Sequence, residues 1–180
     1  MMQNCRLCGH QKLTQFLDLG YTPPADTFLL YEQLDEPETH YPLKVLRCDS
    51  CMFIQLSYIV PPDILYRNDY PYESSTTRTG RKHFDKFAES VVKNYNLSSK
   101  DLVIDVGSNV GVLLKGFQDR GCRILGIEPA ENIAKIANEN DIKTQSVFFS
   151  PDVAKEILSD HGKAKVITAS NVFAHIDDLN

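Results

Sequence analysis

The chain has 180 residues, of which 42% are hydrophobic and 24% are charged, and its formal net charge is −5. This composition is typical of a globular protein, and no apolar run reaches the roughly 20 residues that a membrane helix needs. The first residues lack the basic and apolar regions of a secretory signal, so we expect a cytoplasmic protein that makes no membrane contact.

The first sixty residues are expected to form a small β-rich module. Short apolar stretches bounded by turn residues predict strands at 13–19, 43–46 and 53–58. The segment carries four basic against seven acidic side chains, whereas binding to a nucleic-acid backbone needs the opposite sign. A zinc-ribbon adaptor for nucleic acid is therefore disfavoured, and we expect no nucleic-acid partner.

Two CxxC pairs stand in this module, formed by Cys5 and Cys8 and by Cys48 and Cys51. The two-residue gap lets both thiolates of a pair bind one metal ion, and two pairs complete the tetrahedral four-thiolate site that is typical of zinc. Four protein ligands leave no position open for a substrate, so the expected role of the zinc is structural. The alternatives are buried apolar cysteines or a redox pair, although a redox motif belongs near a βαβ unit.

The rest of the chain divides into a connecting segment, 61–80, and a second domain, 81–180. The segment is polar and aromatic without clear periodicity, which predicts a linker or a binding loop. After a helical pattern that begins at Arg81, strands are expected at 102–106, 123–128, 143–149 and 165–169, with helices at 111–120, 130–140 and 151–160. This alternation predicts an α/β fold with a Rossmann-like, doubly wound parallel sheet. Such a sheet normally has more strands, so we expect the domain to be incomplete at Asn180.

The first strand of this domain runs into a glycine loop, Asp-Val-Gly-Ser-Asn-Val-Gly at 105–111. Such a turn brings backbone N–H groups close to a ligand. The dinucleotide fingerprint requires glycine at 107, 109 and 112, and only Gly107 matches, which argues against NAD. The methyltransferase pattern is satisfied by Asp105, Gly107 and Gly111, and Asn109 is its one departure. Asparagine tolerates a left-handed backbone, so the turn can form with it.

A carboxylate follows the second strand of the domain. Glu128 lies 21 residues after Gly107, where it can accept hydrogen bonds from both ribose hydroxyls of an adenosine. Loop, acid and alternating strands and helices together predict that S-adenosylmethionine is bound. Phe149, at the end of the third expected strand, is placed to lie against adenine, and a core position is the alternative.

The two CxxC pairs, the glycine loop and the sequence Ala-Ser-Asn-Val-Phe-Ala-His-Ile at 169–176 together resemble the zinc-containing sugar C-methyltransferases. Those S-adenosylmethionine-dependent enzymes methylate nucleotide-linked 4-keto-deoxysugars. The resemblance implies that Tyr72, Ser75 and Asn171, with Asp105 and Gly107, contact the methionine end of the cofactor. It also implies a C-terminal domain that follows the methyltransferase core and is needed for activity.

His175 is the candidate catalytic base. Methylation next to a ketone requires removal of a proton, and a histidine with a pKa of about 6.5 suits that task. His175 follows the fourth expected strand, at the edge where doubly wound folds bind ligands, and the resemblance implies a histidine of the active site here. A solvent-facing loop residue is the alternative. We therefore expect a C-methyltransferase, and we expect the 180-residue fragment to be inactive by itself. The alternative hypothesis is a non-catalytic module that binds zinc and S-adenosylmethionine.

Overall fold

The computed structural model describes residues 4–66, 70–74, 76–176 and 179. The chain divides into two compact units, one formed by Met1–Leu65 and His175–Asn180 and the other by Tyr66–Ala174. Within the described ranges, no helix has the length and apolar character needed to cross a membrane. Ser75, one of the expected cofactor residues, lies outside the described residues.

The first unit is built on a three-stranded antiparallel sheet, which confirms the small β-rich module. Its strands are β1 (Leu13–Thr22), β2 (Tyr41–Cys48) and β3 (Ile54–Leu56), in the order β1-β2-β3. A 3-10 helix, Tyr31–Gln33, lies between β1 and β2, and helix α1 (Pro62–Tyr66) follows β3. Helix α1 lies in the segment for which no regular structure was predicted. Five residues are too few to show a helical period, so the sequence pattern could not indicate this helix.

The first unit has a very small apolar core. Among its described apolar side chains, only Cys5, Leu46 and Cys48 are buried. Two of these three residues belong to the CxxC pairs. A module that buries so little apolar surface needs a covalent or metal cross-link to be stable.

The second unit has a four-stranded parallel sheet. Its strands are β4 (Leu102–Val106), β5 (Arg123–Ile127), β6 (Thr144–Gln145) and β7 (Ala164–Thr168), in the order β6-β5-β4-β7. Its helices are α2 (Arg78–Tyr95), α3 (Val112–Gln118), α4 (Glu131–Glu139) and α5 (Pro151–His161). The chain adds β5 and β6 on one side of β4 and then β7 on the other, which confirms the Rossmann-like, doubly wound sheet. In such sheets the carboxyl end of the strand at this reversal, here β4, is the expected place for a ligand.

Strand β4 is buried on both faces, which explains its nearly continuous apolar sequence. Val103 packs in one core cluster with Leu114 and Phe117, whereas Ile104 packs in the other with Leu125. Successive side chains of a strand point to opposite faces, so β4 holds the two cores together.

Two helix starts have identifiable caps. Helix α2 begins at Arg78, three residues before the expected start, because the Thr77 side chain accepts a hydrogen bond from the Gly80 N–H and caps the helix. Helix α5 begins where it was expected, with Ser150 as the cap and Pro151 in the first turn.

The prediction of a strand over 143–149 was wrong in its length. Only Thr144 and Gln145 pair with β5, opposite Gly126 and Ile127. Strand β5 ends at Ile127, so no partner remains for a longer β6. Phe149 therefore lies on the loop before α5 rather than in a strand.

One carboxyl is buried in β4. Asp105 is 3% exposed, and its Oδ1 accepts a hydrogen bond from Thr168 Oγ1 at 2.6 Å. Burial raises the pKa of Asp105 from 3.8 to about 6, although the Thr168 hydrogen bond opposes this rise. The folded chain therefore binds this proton more tightly than the unfolded chain. The resulting stabilisation is complete below pH 3.8 and is lost as the pH rises through about 6.

Asp105→Asn should remove this dependence, because asparagine still accepts the Thr168 hydrogen bond but does not ionise. We expect the variant to match the parent near pH 4 and to be more stable at pH 7, by about 3 kcal/mol at most, in urea unfolding of the ligand-free chain.

Asp101→Asn is the matched control at the other end of β4. Hydrogen bonds from Ser98 lower the pKa of Asp101, so this variant should lose stability at pH 7. An Asp105→Asn variant less stable than the parent at pH 7 would contradict the assignment of a costly buried charge.

Candidate functional site

The four cysteines of the CxxC pairs form one cluster. Cys5 Sγ lies 3.6 Å from Cys51 Sγ, and Cys8 Sγ lies 3.7 Å from Cys48 Sγ. All four sulfurs lie within 4.8 Å of one another. A tetrahedral zinc ion with bonds of about 2.3 Å places its sulfur ligands about 3.8 Å apart. The cluster therefore fits one zinc ion with four protein ligands.

A tight turn follows each CxxC pair. Gly9 and Met52 have left-handed φ values of +72° and +63°. The Ser50 N–H points at Cys48 Sγ, 3.4 Å away. Hydrogen bonds from the backbone of Cys51 and Ser50 lower the pKa of the Cys48 thiol to about 6. The turn thus favours the thiolate of Cys48, which is the form that binds a metal. At Cys51 a backbone hydrogen bond from Phe53 acts in the same direction, but burial and the three neighbouring thiols outweigh it and raise the pKa of Cys51 to about 12.

The glycine loop connects β4 to α3. Gly107, Asn109 and Gly111 have φ values of +65°, +50° and +79°, so Asn109 adopts the left-handed conformation that the sequence required of it. A Cβ at Gly107 would overlap the Val172 side chain, and a Cβ at Gly111 would overlap a core side chain. The Gly107 N–H donates to the carbonyl of Ile127 at 2.7 Å, which fixes the loop against the end of β5.

The Glu128 carboxylate lies between two backbone N–H groups. Its Oε2 accepts from the Asn109 N–H at 2.9 Å, and its Oε1 accepts from the Ala130 N–H at 3.0 Å. Glu128 is 5% exposed, and burial raises its pKa although the bonds from Ala130 and Asn109 oppose this rise. A carboxylate has about four acceptor positions. Each oxygen of Glu128 thus keeps one position for a hydroxyl of a ribose diol.

Residues 70–74, which we call the strap, are held by two asparagine side chains, one from the glycine loop and one from α4. Asn109 Oδ1 accepts from the Ser74 N–H at 2.6 Å, and its Nδ2 donates to the Tyr72 carbonyl at 2.9 Å. The side chain of Asn132 in α4 accepts from the Tyr70 N–H at 3.2 Å and donates to the Tyr70 carbonyl at 2.9 Å. Neither asparagine belongs to a periodic pattern, so these bonds could not be predicted from the sequence.

The remaining expected residues lie on loops. Tyr72 is in the strap with its side chain exposed, and Phe149 is exposed before α5. Asn171 follows β7 in a left-handed turn with φ +57°, next to the Val172 that packs near Gly107. His175 is exposed at the end of a 3-10 helix, Phe173–His175, and belongs to the first compact unit. The structure therefore brings together Gly107, Asn109, Glu128 and the strap; the functions of the other residues stay predictions.

Two family models match the chain. Residues 5–66 match a model described as a zinc binding domain, and residues 80–180 match a model described as a methyltransferase domain. The second match covers more than half of the 180 residues.

Among curated proteins, the C-methyltransferase NovU of Streptomyces niveus is 34% identical over 179 residues, which is 99% of this chain and 42% of that protein. The chain thus spans less than half the length of this relative. Similar solved structures include the magnesium protoporphyrin IX methyltransferase ChlM from Synechocystis PCC 6803 with bound SAM, at a TM-score of 0.40 and 17% identity, covering 53% of this chain and 46% of that one. The plantazolicin methyltransferase BpumL has a TM-score of 0.44 and 21% identity, covering 58% of this chain and 41% of that one.

The methyltransferase match decides the family, and the sheet topology agrees with it. The four-sulfur cluster in the segment that matches the zinc domain agrees with the expected zinc ion. The chain belongs to the S-adenosylmethionine-dependent methyltransferases in which a zinc-binding module precedes the methyltransferase domain.

Proposed function

We propose that this chain binds S-adenosylmethionine at the carboxyl ends of β4 and β5, with Glu128 as the acceptor for the ribose hydroxyls. The observation that carries this proposal is the Glu128 carboxylate, which is buried and held by the Asn109 and Ala130 N–H groups. Two backbone donors leave its other acceptor positions for a diol.

The other contacts to the cofactor are proposed from position and resemblance. The backbone N–H groups of the glycine loop that contains Gly107 and Gly111 approach the cofactor, because the loop turns at the carboxyl end of β4. Asp105 and Asn171 contact its methionine end, and Phe149 lies against adenine. Tyr72 and Ser75 complete the methionine end, although Ser75 lies outside the residues that the structure describes.

The proposed reaction is methylation of a carbon next to the ketone of a nucleotide-linked deoxysugar. When bound, S-adenosylmethionine supplies a sulfonium methyl group. His175 removes the proton from the carbon that is to be methylated, a role supported by the sequence resemblance and by the capacity of an imidazole to act as a general base. The relative named C-methyltransferase supports attack by carbon rather than by oxygen or nitrogen.

The acceptor site needs more groups than those proposed here. Deprotonation next to a ketone requires donors that stabilise the enolate and contacts that orient the sugar. The matched relative is more than twice as long as the part it shares with this chain, so we propose that a further domain of that kind completes the site. The second candidate function, a non-catalytic module that binds zinc and cofactor, needs only the four-sulfur cluster and the Glu128 carboxylate.

Cys5, Cys8, Cys48 and Cys51 are the proposed zinc ligands, and the zinc is structural. We expect about one zinc ion per chain, because the four thiolates complete one tetrahedral site. Cys48→Ser should lose the metal and should raise hydrogen exchange in residues 4–60 first, since this unit buries little apolar surface.

Elemental analysis of protein purified without added metal measures the zinc content. Cys122→Ala is the matched control, because Cys122 is buried in the core of the second unit. A folded parent chain without zinc, or equal zinc loss in the Cys122 variant, would be incompatible with this site.

Glu128→Gln should weaken S-adenosylmethionine binding by roughly 10- to 100-fold, the effect of losing hydrogen bonds to a charged group. In the parent chain both Glu128 oxygens accept a hydrogen bond from a backbone N–H. The glutamine amide replaces one of these oxygens with an NH2 group, which cannot accept that bond. Titration calorimetry measures the affinity, and Glu131→Gln is the control, since Glu131 is exposed in the first turn of α4. Parental affinity in Glu128→Gln, or tighter binding of NADH than of S-adenosylmethionine by the parent, would overturn the assigned cofactor site.

The 180-residue chain alone should not methylate a nucleotide-linked 4-keto-deoxysugar. Joining it to the part of the relative that it does not match should give transfer of a radiolabelled methyl group.

In that chimera, His175→Ala should lower kcat by roughly 100- to 10,000-fold with little change in cofactor affinity, whereas His161→Ala at the end of α5 should not lower kcat. Activity of the chain alone would refute the need for a further domain, and an active His175→Ala chimera would exclude this residue as the base.

A further inference from the structure

Asn109 occupies a position where a glycine would satisfy the backbone equally well. Its φ of +50° lies in the left-handed region, which glycine adopts without strain. Its side chain, however, makes three hydrogen bonds that glycine cannot make. Oδ1 accepts from the N–H groups of Ser74 and Val110, and Nδ2 donates to the Tyr72 carbonyl. Only this orientation of the amide satisfies all three partners.

The two asparagines that hold the strap lie at or close to residues that donate hydrogen bonds to the Glu128 carboxylate. The Asn109 N–H donates to one oxygen of Glu128 while its side chain holds Tyr72 and Ser74. The Ala130 N–H donates to the other oxygen, and Asn132 follows two residues later in α4. The strap, the loop and the carboxylate therefore form one connected hydrogen-bond network.

The bonds of Asn109 are partly buried, and Asn109 itself is 8% exposed. Partly buried hydrogen bonds hold a segment more firmly than fully exposed ones. The Tyr72 side chain, by contrast, is 57% exposed, so the strap is held by its backbone. Its backbone is fixed beside the carboxyl ends of β4 and β5, where a doubly wound sheet binds its ligand.

We propose that Asn109 is a positioning residue: its amide side chain holds the strap against the glycine loop, and the held strap slows release of the cofactor. Asn132 supports the same strap from α4. This inference rests on the proposed binding of S-adenosylmethionine beside Glu128. It assigns to residue 109 a function that depends on its being asparagine rather than glycine.

Asn109→Gly is the decisive variant, because it keeps the left-handed turn and the N–H bond to Glu128 while it deletes the bonds to the strap. We expect amide exchange of Ser74 to become at least about tenfold faster, the effect of losing one such bond. The dissociation rate of S-adenosylmethionine should rise by about tenfold, with a nearly unchanged association rate, as is usual when a contact is lost.

Asn96→Gly is the matched control. Asn96 also has a left-handed backbone, with φ +49° and ψ +49°, but it is exposed at the end of α2. It should leave both the Ser74 exchange rate and the cofactor dissociation rate unchanged. If the only effect of Asn109→Gly were the greater backbone freedom of glycine, both glycine variants would have a changed Tm, and neither variant would change the Ser74 exchange rate or the cofactor dissociation rate.

Asn132→Ala tests the second fastening on a different element, with Asn140→Ala at the other end of α4 as its control. It should speed exchange of the Tyr70 amide and cofactor release. If both asparagines act through one strap, the double variant should release cofactor little faster than the more affected single variant.

The outcomes separate the two proposals. A parent chain that does not bind S-adenosylmethionine contradicts the proposed function and this inference together. Binding by the parent with unchanged dissociation rates in Asn109→Gly and Asn132→Ala overturns the strap alone. Slower release in these variants also overturns it, because it would mean that the strap obstructs the site.

Discussion

The Glu128 carboxylate, with its two backbone hydrogen bonds, is the interaction on which the proposed cofactor site depends. It is buried at the end of β5 and accepts the N–H groups of Asn109 and Ala130, one from the glycine loop and one from the start of α4. Burial raises the pKa of Glu128 and so favours the protonated acid, and the two donors reduce that rise without cancelling it. The same carboxylate thereby fixes the two elements that carry Asn109 and Asn132. A ligand that binds Glu128 would therefore contact the group that also fixes the loop holding the strap.

The two units of the chain are stabilised in different ways. The second unit has apolar clusters on both faces of β4 and accommodates a buried Asp105 at some cost in stability. The first unit buries few apolar residues, and two of them are cysteines of the four-sulfur cluster. Removal of metal should therefore affect the first unit much more than the sheet that carries the glycine loop.

Sequence patterns predicted what depends on local chemistry. The CxxC spacing, the apolar run of β4 and the Ser150-Pro151 start of α5 each reflect a short-range rule, and each agrees with the structure. The length of β6 was wrong because it depends on where its partner β5 ends. The bonds from Asn109 and Asn132 to the strap could not be predicted, since they join residues 35 to 62 positions apart. In the sequence, Asn109 stands out only because it occupies a position where the glycine pattern has a small residue.

The most direct test of the central claim is to follow the backbone amide signals of Asn109 and Ala130 by NMR during titration with S-adenosylmethionine. These two N–H groups donate to Glu128, so a ribose that binds the carboxylate must change both environments. We predict saturable shifts at both amides that follow a single binding curve. Saturable binding that leaves both signals unmoved would contradict the assignment of Glu128 as the ribose acceptor.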